Sequence, residues 1–457
     1  MKNKFLLLFF ISVLVGFGGY YIGLSLRQAV VLSVFSMSIL GTLFFWDFRI
    51  GFVFVGSGIM LLVHAVNLEE FVKYASLDVI WFLIGTMIIL AMLKEAGVFY
   101  YLVTKILRVK NLTGEKLFLI ILCVSWGISG LMGEVTSILL MVNIIFSVCE
   151  FLEVSPIPLV ISSVITTNIG SATTVLGNPI GVLIAVRGKL SFEDFIVHSL
   201  PVTIVCLVIT ILILRIFYGK YILELSAKLK PHTENFSFLY LISTPMDKKT
   251  KVSSALFVLT VILIALHRRI EMLLFLEENT ILIIIPIIIA GLVLIVNYEK
   301  ATKYIEHEVE WNSLLFFLFL FAQAGVLQSS GIAEKIANFI TQFSKTNSYI
   351  LSFVLLFSSG FLSSVLDNVV VVASYIPVVF NLKYIVPRNS TFWWAILFGG
   401  CFGGNITLVG STANIIALSL LDKKCSKKIS FYEWLKVGFI VGVVTMAISY
   451  LWLVFVK

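Results

Sequence analysis

The sequence predicts an all-α polytopic membrane protein with eleven transmembrane helices and two re-entrant hairpins, built as inverted-topology repeats with two broken helices. Three observations carry that prediction. First, the 457 residues are 60% hydrophobic and only 13% charged, against about 25% charged in a soluble chain, and the mean hydropathy is +1.07. Second, apolar runs near 20 residues recur from end to end, each long enough to cross ~30 Å of hydrocarbon. Third, motifs of the first half return in the second at a nearly constant offset.

The elements follow in order. Residues 1–26 form an extra first span: Lys2 and Lys4 precede the apolar run Phe5–Leu26, as in a signal peptide, but no small-x-small cleavage site follows. The first repeat, 27–218, holds spans at 27–46, 50–66 and 78–94, a hairpin at 116–147, a broken helix at 157–186 and a span at 195–218. Residues 219–252 are a cytoplasmic linker. The second repeat, 253–457, holds spans at 253–268, 280–297 and 312–330, a hairpin at 348–381, a broken helix at 392–420 and a last span at 432–456. The hairpins are read from GEVTS at 133–137 and DN at 367–368, polar groups in the middle of apolar stretches. An ionisable residue at the centre of a single crossing is expensive, whereas a hairpin tip buried in protein or facing a wet cavity is tolerated.

Loop charges orient the chain. Loops 94–116, 219–251 and 422–431 are the most basic, while 67–77 carries Glu69 and Glu70, and 268–279 offsets Arg268 and Arg269 with three glutamates. The positive-inside rule then places the N-terminus in the cytoplasm and the C-terminus outside, in a multi-pass protein of the cell membrane. The net charge of +8 belongs to these loops and to the lipid bilayer as partner, not to nucleic acid.

The repeat is concrete. Gly97/Gly331, Ser129/Ser363 and Phe146/Phe380 are each 234 residues apart, and Thr174/Thr407 and Gly177/Gly410 are 233 apart. Five crossings per repeat is an odd number, so the second repeat sits upside down relative to the first, as in secondary transporters. The matched segments GSATTVLGNPIGV at 170–182 and GGNITLVGSTANII at 403–416 are rich in Gly, Asn, Ser and Thr. In lipid such a break would leave backbone groups unpaired at several kcal/mol each, so both breaks are expected to meet a ligand, water or protein.

The breaks carry candidate binding groups: Ser171, Gly177, Asn178, Gly410, Ser411, Thr412 and Asn414. Pro179 suits the first turn of a half-helix, and Ser411 and Thr412 can cap the matching one. Two helix N-termini aimed at a break favour an anion; the unwound carbonyls and the Asn, Ser and Thr oxygens suit Na⁺ instead. Glu134 and Asp367, acids at the hairpin tips, are the candidates for proton or cation coupling.

Other chemistries are disfavoured. The five cysteines form no CxxC pair and read as small apolar fillers, and no metal site is expected beyond Na⁺. The five histidines fall at span ends or in loops. There is no HExxH and no P-loop motif, so no enzyme and no resident cofactor is expected, although a soluble ATPase partner fits the pattern. A channel is the weaker alternative, since broken helices also line pores.

These residues resemble the ion transporter superfamily, in particular its arsenite permease and sodium–proton antiporter group, which includes the melanosomal P protein and shares the citrate-transporter-like domain. The family pattern Asn-Ile-Gly-Gly-x-Ala-Thr-Leu-Ile-Gly-Asp-Pro-Pro-Asn is matched by NIGSATTVLGNPIG at 168–181. The pattern Gly-Gly-Asn-x-Thr-Leu-Ile-Gly-Ala-Ser-Ala-Asn is matched by GGNITLVGSTAN at 403–414. A hairpin ending in Asp-Asn precedes it, as Asp367-Asn368 does here, and ISFYEWLKVG at 429–438 is similar to the run into the last span. The resemblance implies a homodimer, elevator-like alternating access, and a site formed by Asn168, Thr173, Thr174, Asn178, Asp367, Asn368, Asn405, Thr407 and Ser411.

The chain departs from the pattern at Gly133-Glu134, Asn178 and Gly181, and lacks the Ser-Asn-Thr tips of dicarboxylate carriers. Two acids near the site repel a dicarboxylate unless they are protonated or paired with cations. The expected cargo is therefore a small inorganic or organic anion, an arsenite-like oxyanion before a dicarboxylate, moved with H⁺ or Na⁺. Na⁺/H⁺ antiport is the alternative.

Overall fold

The computed structural model describes residues 2–107, 112–230, 247–344, 347–385, 391–425 and 429–455. The linker residues 231–246, with His232, and the loop residues Arg108, Lys110, Lys427 and Lys428 lie outside them. Every regular element among the described residues is helical. The longer ones are α1 (Lys2–Tyr21), α2 (Leu26–Phe44), α3 (Arg49–Leu62), α4 (Leu68–Tyr74), α5 (Leu77–Glu95), α6 (Val98–Leu107), α7 (Gly114–Met132), α8 (Glu134–Leu152), α9 (Ile157–Ser171) and α10 (Pro179–Gly188). Then follow α11 (Leu200–Leu229), α12 (Lys248–Ala265), α13 (His267–Leu274), α14 (Thr280–Val296), α15 (Trp311–Ser329), α16 (Ile332–Ser344), α17 (Ser348–Ser363), α18 (Asn368–Ile385), α19 (Thr391–Gly403), α20 (Thr412–Cys425) and α21 (Phe431–Phe455).

This is an all-helical, multi-span membrane protein. Among the described residues eight helices are long and apolar enough to cross a bilayer, or up to ten if two bent pairs each count as one span. Helices α12 and α14 match the expected spans at 253–268 and 280–297, and bends fall at their ends: α12 and α13 meet at 63°, and α14 meets Tyr298–Glu308 at 100°. The count stays below eleven for a physical reason. The expected crossings at 157–186 and 392–420 are divided into helices too short to span alone, and the expected span at 50–66 is the 14-residue α3. The two arms expected at 116–147 are α7 and α8, 19 residues each and individually long enough to cross, whereas the arms at 348–381 are shorter helices.

Local chemistry sets the boundaries. Ser25 and Gln28 form a capping box at α2, and Thr113 and Asn347 cap α7 and α17 by accepting backbone N–H groups. Gly97 and Gly331 follow α5 and α15 at φ +67° and +77°, a backbone conformation that glycine adopts without strain. α7 packs on α9 and α17 packs on α19. Close approach is obligatory in both pairs, because a Cβ on Gly170 would strike the Trp126 carbonyl and one on Gly403 would strike the Gly360 carbonyl. The segment from Leu159 to Val175 is buried throughout, so its polar groups look to the protein for partners; most find them, but Ser162 Oγ and Thr167 Oγ1 do not.

Candidate substrate and ion site

At the first break α9 ends at Ser171 and α10 starts at Pro179. Asn178, extended at φ −167° and ψ 166°, caps α10: its Oδ1 accepts from Gly181 N at 2.7 Å. Proline at the first helical position loses no hydrogen bond there. The Asn178 Nδ2 donates to Ser171 Oγ at 3.0 Å and to Cys401 Sγ at 3.1 Å. The Thr174 hydroxyl donates to the Gly130 carbonyl of α7 and accepts from Leu176 N.

The second break, between Gly403 and Thr412, repeats much of this. The Thr407 hydroxyl donates to the Ser364 carbonyl after α17 and accepts from Val409 N. Ser411 Oγ accepts from Asn414 N at 3.3 Å. Asn414 Nδ2 donates to the Gly404 and Thr407 carbonyls, each at 2.8 Å. Trp434 on α21 donates from its indole to the Asn405 carbonyl at 2.9 Å.

The two breaks meet at Asn168. Its Nδ2 donates to Asn405 Oδ1 at 2.8 Å and to Asn414 Oδ1 at 2.9 Å. The Ser411 hydroxyl lies 3.0 Å from Asn168 Oδ1 and 2.8 Å from Asn414 Oδ1, and it can donate to one at a time. The helix pairs meet as well. Glu134, the first residue of α8 after Gly133 at φ +86°, receives Asn368 Nδ2 at 3.3 and 3.4 Å. Asp367 accepts from Val369 N and from the Thr412 hydroxyl, both at 2.9 Å. Both acids are buried, 3% and 4% exposed, and buried polar groups without partners are costly.

The expected residues therefore divide by what they touch. Asn168, Asn405, Ser411 and Asn414 form one cluster; Ser171 joins it by donating to the Asn168 carbonyl at 2.9 Å, and Asn178 through Ser171; Glu134 with Asn368 and Asp367 with Thr412 form the acidic part. Thr174 and Thr407 brace the breaks against the neighbouring helices. Thr173 turns away and donates to Thr203 on α11 at 3.1 Å. Gly177 and Gly410 are packing positions, where a Cβ would strike the carbonyls of Ser171 and Gly404. Among the expected site residues, two buried side-chain atoms have no hydrogen-bond partner, Asn368 Oδ1 and Asn405 Nδ2: one acceptor and one donor.

Three residues were not singled out in the sequence. Arg49 at the start of α3 lies 3.7 Å from Asp367. Glu310, which accepts from Ser313 at 3.1 Å, borders the same region. Cys401 looked like an apolar filler but touches Asn178. A Trp beside the arginine, Trp46, is the one local hint at Arg49, since guanidinium groups stack on aromatic rings. A cavity of about 470 Å³ runs from Glu134, Asn178 and Thr412 to Lys94 and Glu308, which form an ion pair at 2.8 Å.

The family model described as citrate transporter, CitMHS, matches residues 42–399. The chain belongs to the citrate transporter family. As a member of that family, and of the ion transporter superfamily, it is a secondary transporter. A relative named as an uncharacterized transporter of Mycobacterium tuberculosis is 31% identical over 386 residues, covering 82% of this chain and 86% of the relative. The human P protein is 24% identical over 455 residues, covering 84% of this chain and 54% of the P protein. Among solved structures, the YdaH transporter of Alcanivorax borkumensis superposes with a TM-score of 0.57 at 11% identity, over 87% of this chain and 88% of that one. That last similarity is one of fold.

Proposed function

We propose that this citrate-transporter-family protein moves a small anion coupled to Na⁺ or H⁺, by elevator-like alternating access between two inverted repeats. In this reading α7–α8 and α17–α18 are re-entrant hairpins, and α9–α10 and α19–α20 are the two broken crossings. The observation that carries it is the bridge from Asn168 to Asn405 and Asn414, which brings both breaks to one place beside Glu134 and Asp367. Paired contacts support the repeat. Thr174 to Gly130 is matched by Thr407 to Ser364, Ser129 to Thr167 by Ser363 to Gly400, and Asn178 to Cys401 by Ser411 to Asn168. Matched discontinuous helices around a buried polar site are how secondary transporters hold cargo.

In this reading the helix N-termini at Pro179 and Thr412 and the donor at Asn405 Nδ2 favour the anion. Glu134, Asp367 and the free acceptor at Asn368 favour a cation or proton. The buried acids weigh against a bare di- or tricarboxylate and for an arsenite-like oxyanion. Proteoliposomes test this with uptake of arsenite, of citrate and of ²²Na⁺, each with and without a pH gradient. Saturable anion uptake that depends on a cation or pH gradient is expected. Sodium flux with no movement of either anion would make Na⁺/H⁺ antiport the function. Citrate uptake without arsenite uptake would reverse the order of cargoes. A homodimer with cytoplasmic N-termini is the assembly this reading expects.

A further inference from the structure

Arg49 belongs to neither break, yet its guanidinium is buried among site residues. Arg49 is 8% exposed. Its guanidinium lies over the rings of Trp46 and Phe316, 4.0 and 4.6 Å from their centroids. Nη2 donates to Ser313 Oγ at 3.4 Å. Nη1 has no hydrogen-bond partner and points to Asp367 Oδ2, 3.7 Å away. A guanidinium has five N–H donors, so this one is held mainly by two rings and one carboxylate. Ser313 and Phe316 sit on α15, whereas Asp367 and Thr412 sit at the head of α18 and α20. The pair thus ties α3 and α15 to the second half of the site. Thr412, Glu310 and Ser313 line the cavity, so the pair stands directly behind its wall.

Resting on the cation-coupled reading above, we propose that Arg49 and Na⁺ compete for Asp367, so that Arg49 is the counter-ion of this carboxylate until Na⁺ replaces it. The chemistry of the two positive groups is opposed. Na⁺ takes oxygen ligands, and Asp367 Oδ2 with the Thr412 hydroxyl, 2.9 Å apart, offers two oxygens at one point. A guanidinium 3.7 Å from that same oxygen repels the ion. Buried charge does not stay unpaired, so Na⁺ entry and release of Arg49 are one exchange. Glu310, joined to Arg49 through the Ser313 hydroxyl, is placed to take the released group. Because the pair joins two sets of helices, the exchange couples ion binding to their separation, which is what ordered access requires.

The test is the Na⁺ dependence of thermal unfolding of the purified full chain in detergent, with choline chloride holding ionic strength constant. Arg49→Gln removes the competitor, so its half-maximal Na⁺ concentration falls by about tenfold, within the usual range of coupling between ligands. Arg49→Lys keeps the charge without the planar fork and moves the midpoint the same way by about threefold; it decides the matter if Arg49→Gln does not purify as folded protein. A merely structural role for Arg49 weakens Na⁺ binding or leaves it alone. Unchanged or raised midpoints in these variants, with a normal wild-type response, overturn the competition and leave cation coupling standing. A wild type indifferent to Na⁺ overturns this inference, and leaves the reading above with H⁺ alone.

Discussion

At the hairpin-like tip of the first half Glu134 receives the amide of Asn368, at 3.3 and 3.4 Å, with the Ser171 hydroxyl beside it, whereas at the second tip Asp367 takes a backbone N–H, a hydroxyl and the proximity of Arg49. The surroundings are otherwise matched. Thr174 and Thr407 bond to equivalent carbonyls, and Gly170 and Gly403 allow equivalent helix approaches. The backbone framework is shared between the halves and the charges are not. A shared framework positions two breaks symmetrically around one site. The unequal charges leave Asp367 beside a guanidinium, the group that Na⁺ would displace in the exchange proposed above, while Glu134 has no such partner among the described residues.

The largest effect is expected where the framework is shared. Gly170→Ala and Gly403→Ala each place a methyl group on a neighbouring backbone carbonyl. Overpacking costs about 1–3 kcal/mol where side chains can yield, and backbone yields less. Both variants are expected to lose most folded protein, read as monodisperse yield and thermal unfolding in detergent. One variant behaving as wild type would break the equivalence of the halves.

Next comes the unequal pair. Asp367→Asn leaves the Arg49 guanidinium buried without its counter-ion, a change that costs about 3 kcal/mol or more. Glu134→Gln keeps an oxygen that can accept from the Asn368 amide and stays within about 1 kcal/mol of wild type. In ²²Na⁺ or pH-driven uptake, both variants are expected to lose coupling, Asp367→Asn completely. Equal stability of the two variants would mean that Arg49 does not depend on Asp367.

Much of this arrangement was legible in the sequence because it is written in residues that helices do not tolerate. Gly170–Pro179 and Gly403–Asn414 read as breaks from Gly, Asn and Pro, and the structure interrupts its helices there. Asp367-Asn368 and Gly133-Glu134 read as tips because acids are rare in apolar runs. What stayed hidden depends on partners distant in the chain. Arg49 sits at a span edge, where basic residues are ordinary, and only the fold brings it to Asp367. Cys401 lies in an apolar run, and only the Asn178 amide beside it makes it a site residue. The bends escaped for the opposite reason. They fall at Leu266 and Asn297, without Gly or Pro, while Pro286 lies inside α14 and packs on Gly85 of α5.

Asn168 offers a mid-sized test. Asn168→Ala leaves the Oδ1 atoms of Asn405 and Asn414 without the amide that now serves both. Losing it costs about 1–3 kcal/mol, and half-saturating anion concentrations in uptake are expected to rise.

The smallest effects separate the two caps. Asn178 Oδ1 accepts from Gly181 N at 2.7 Å, whereas Ser411 Oγ accepts from Asn414 N at 3.3 Å. A cap is worth about 1 kcal/mol, and the shorter, better-formed bond should carry more of it. Asn178 also donates to Ser171 and Cys401, contacts that vanish with the amide. Ser411 sits beside Asn414, whose own amide is already held by two carbonyls, so its half-helix start keeps support without the hydroxyl. Asn178→Ala is therefore expected to lower the thermal unfolding midpoint more than Ser411→Ala, and Asn178→Ser, which restores a capping oxygen, to recover part of the loss. If Ser411→Ala is the more damaging, the second break depends on its hydroxyl for joining Asn168 rather than for starting α20, and the two caps are not equivalent in role.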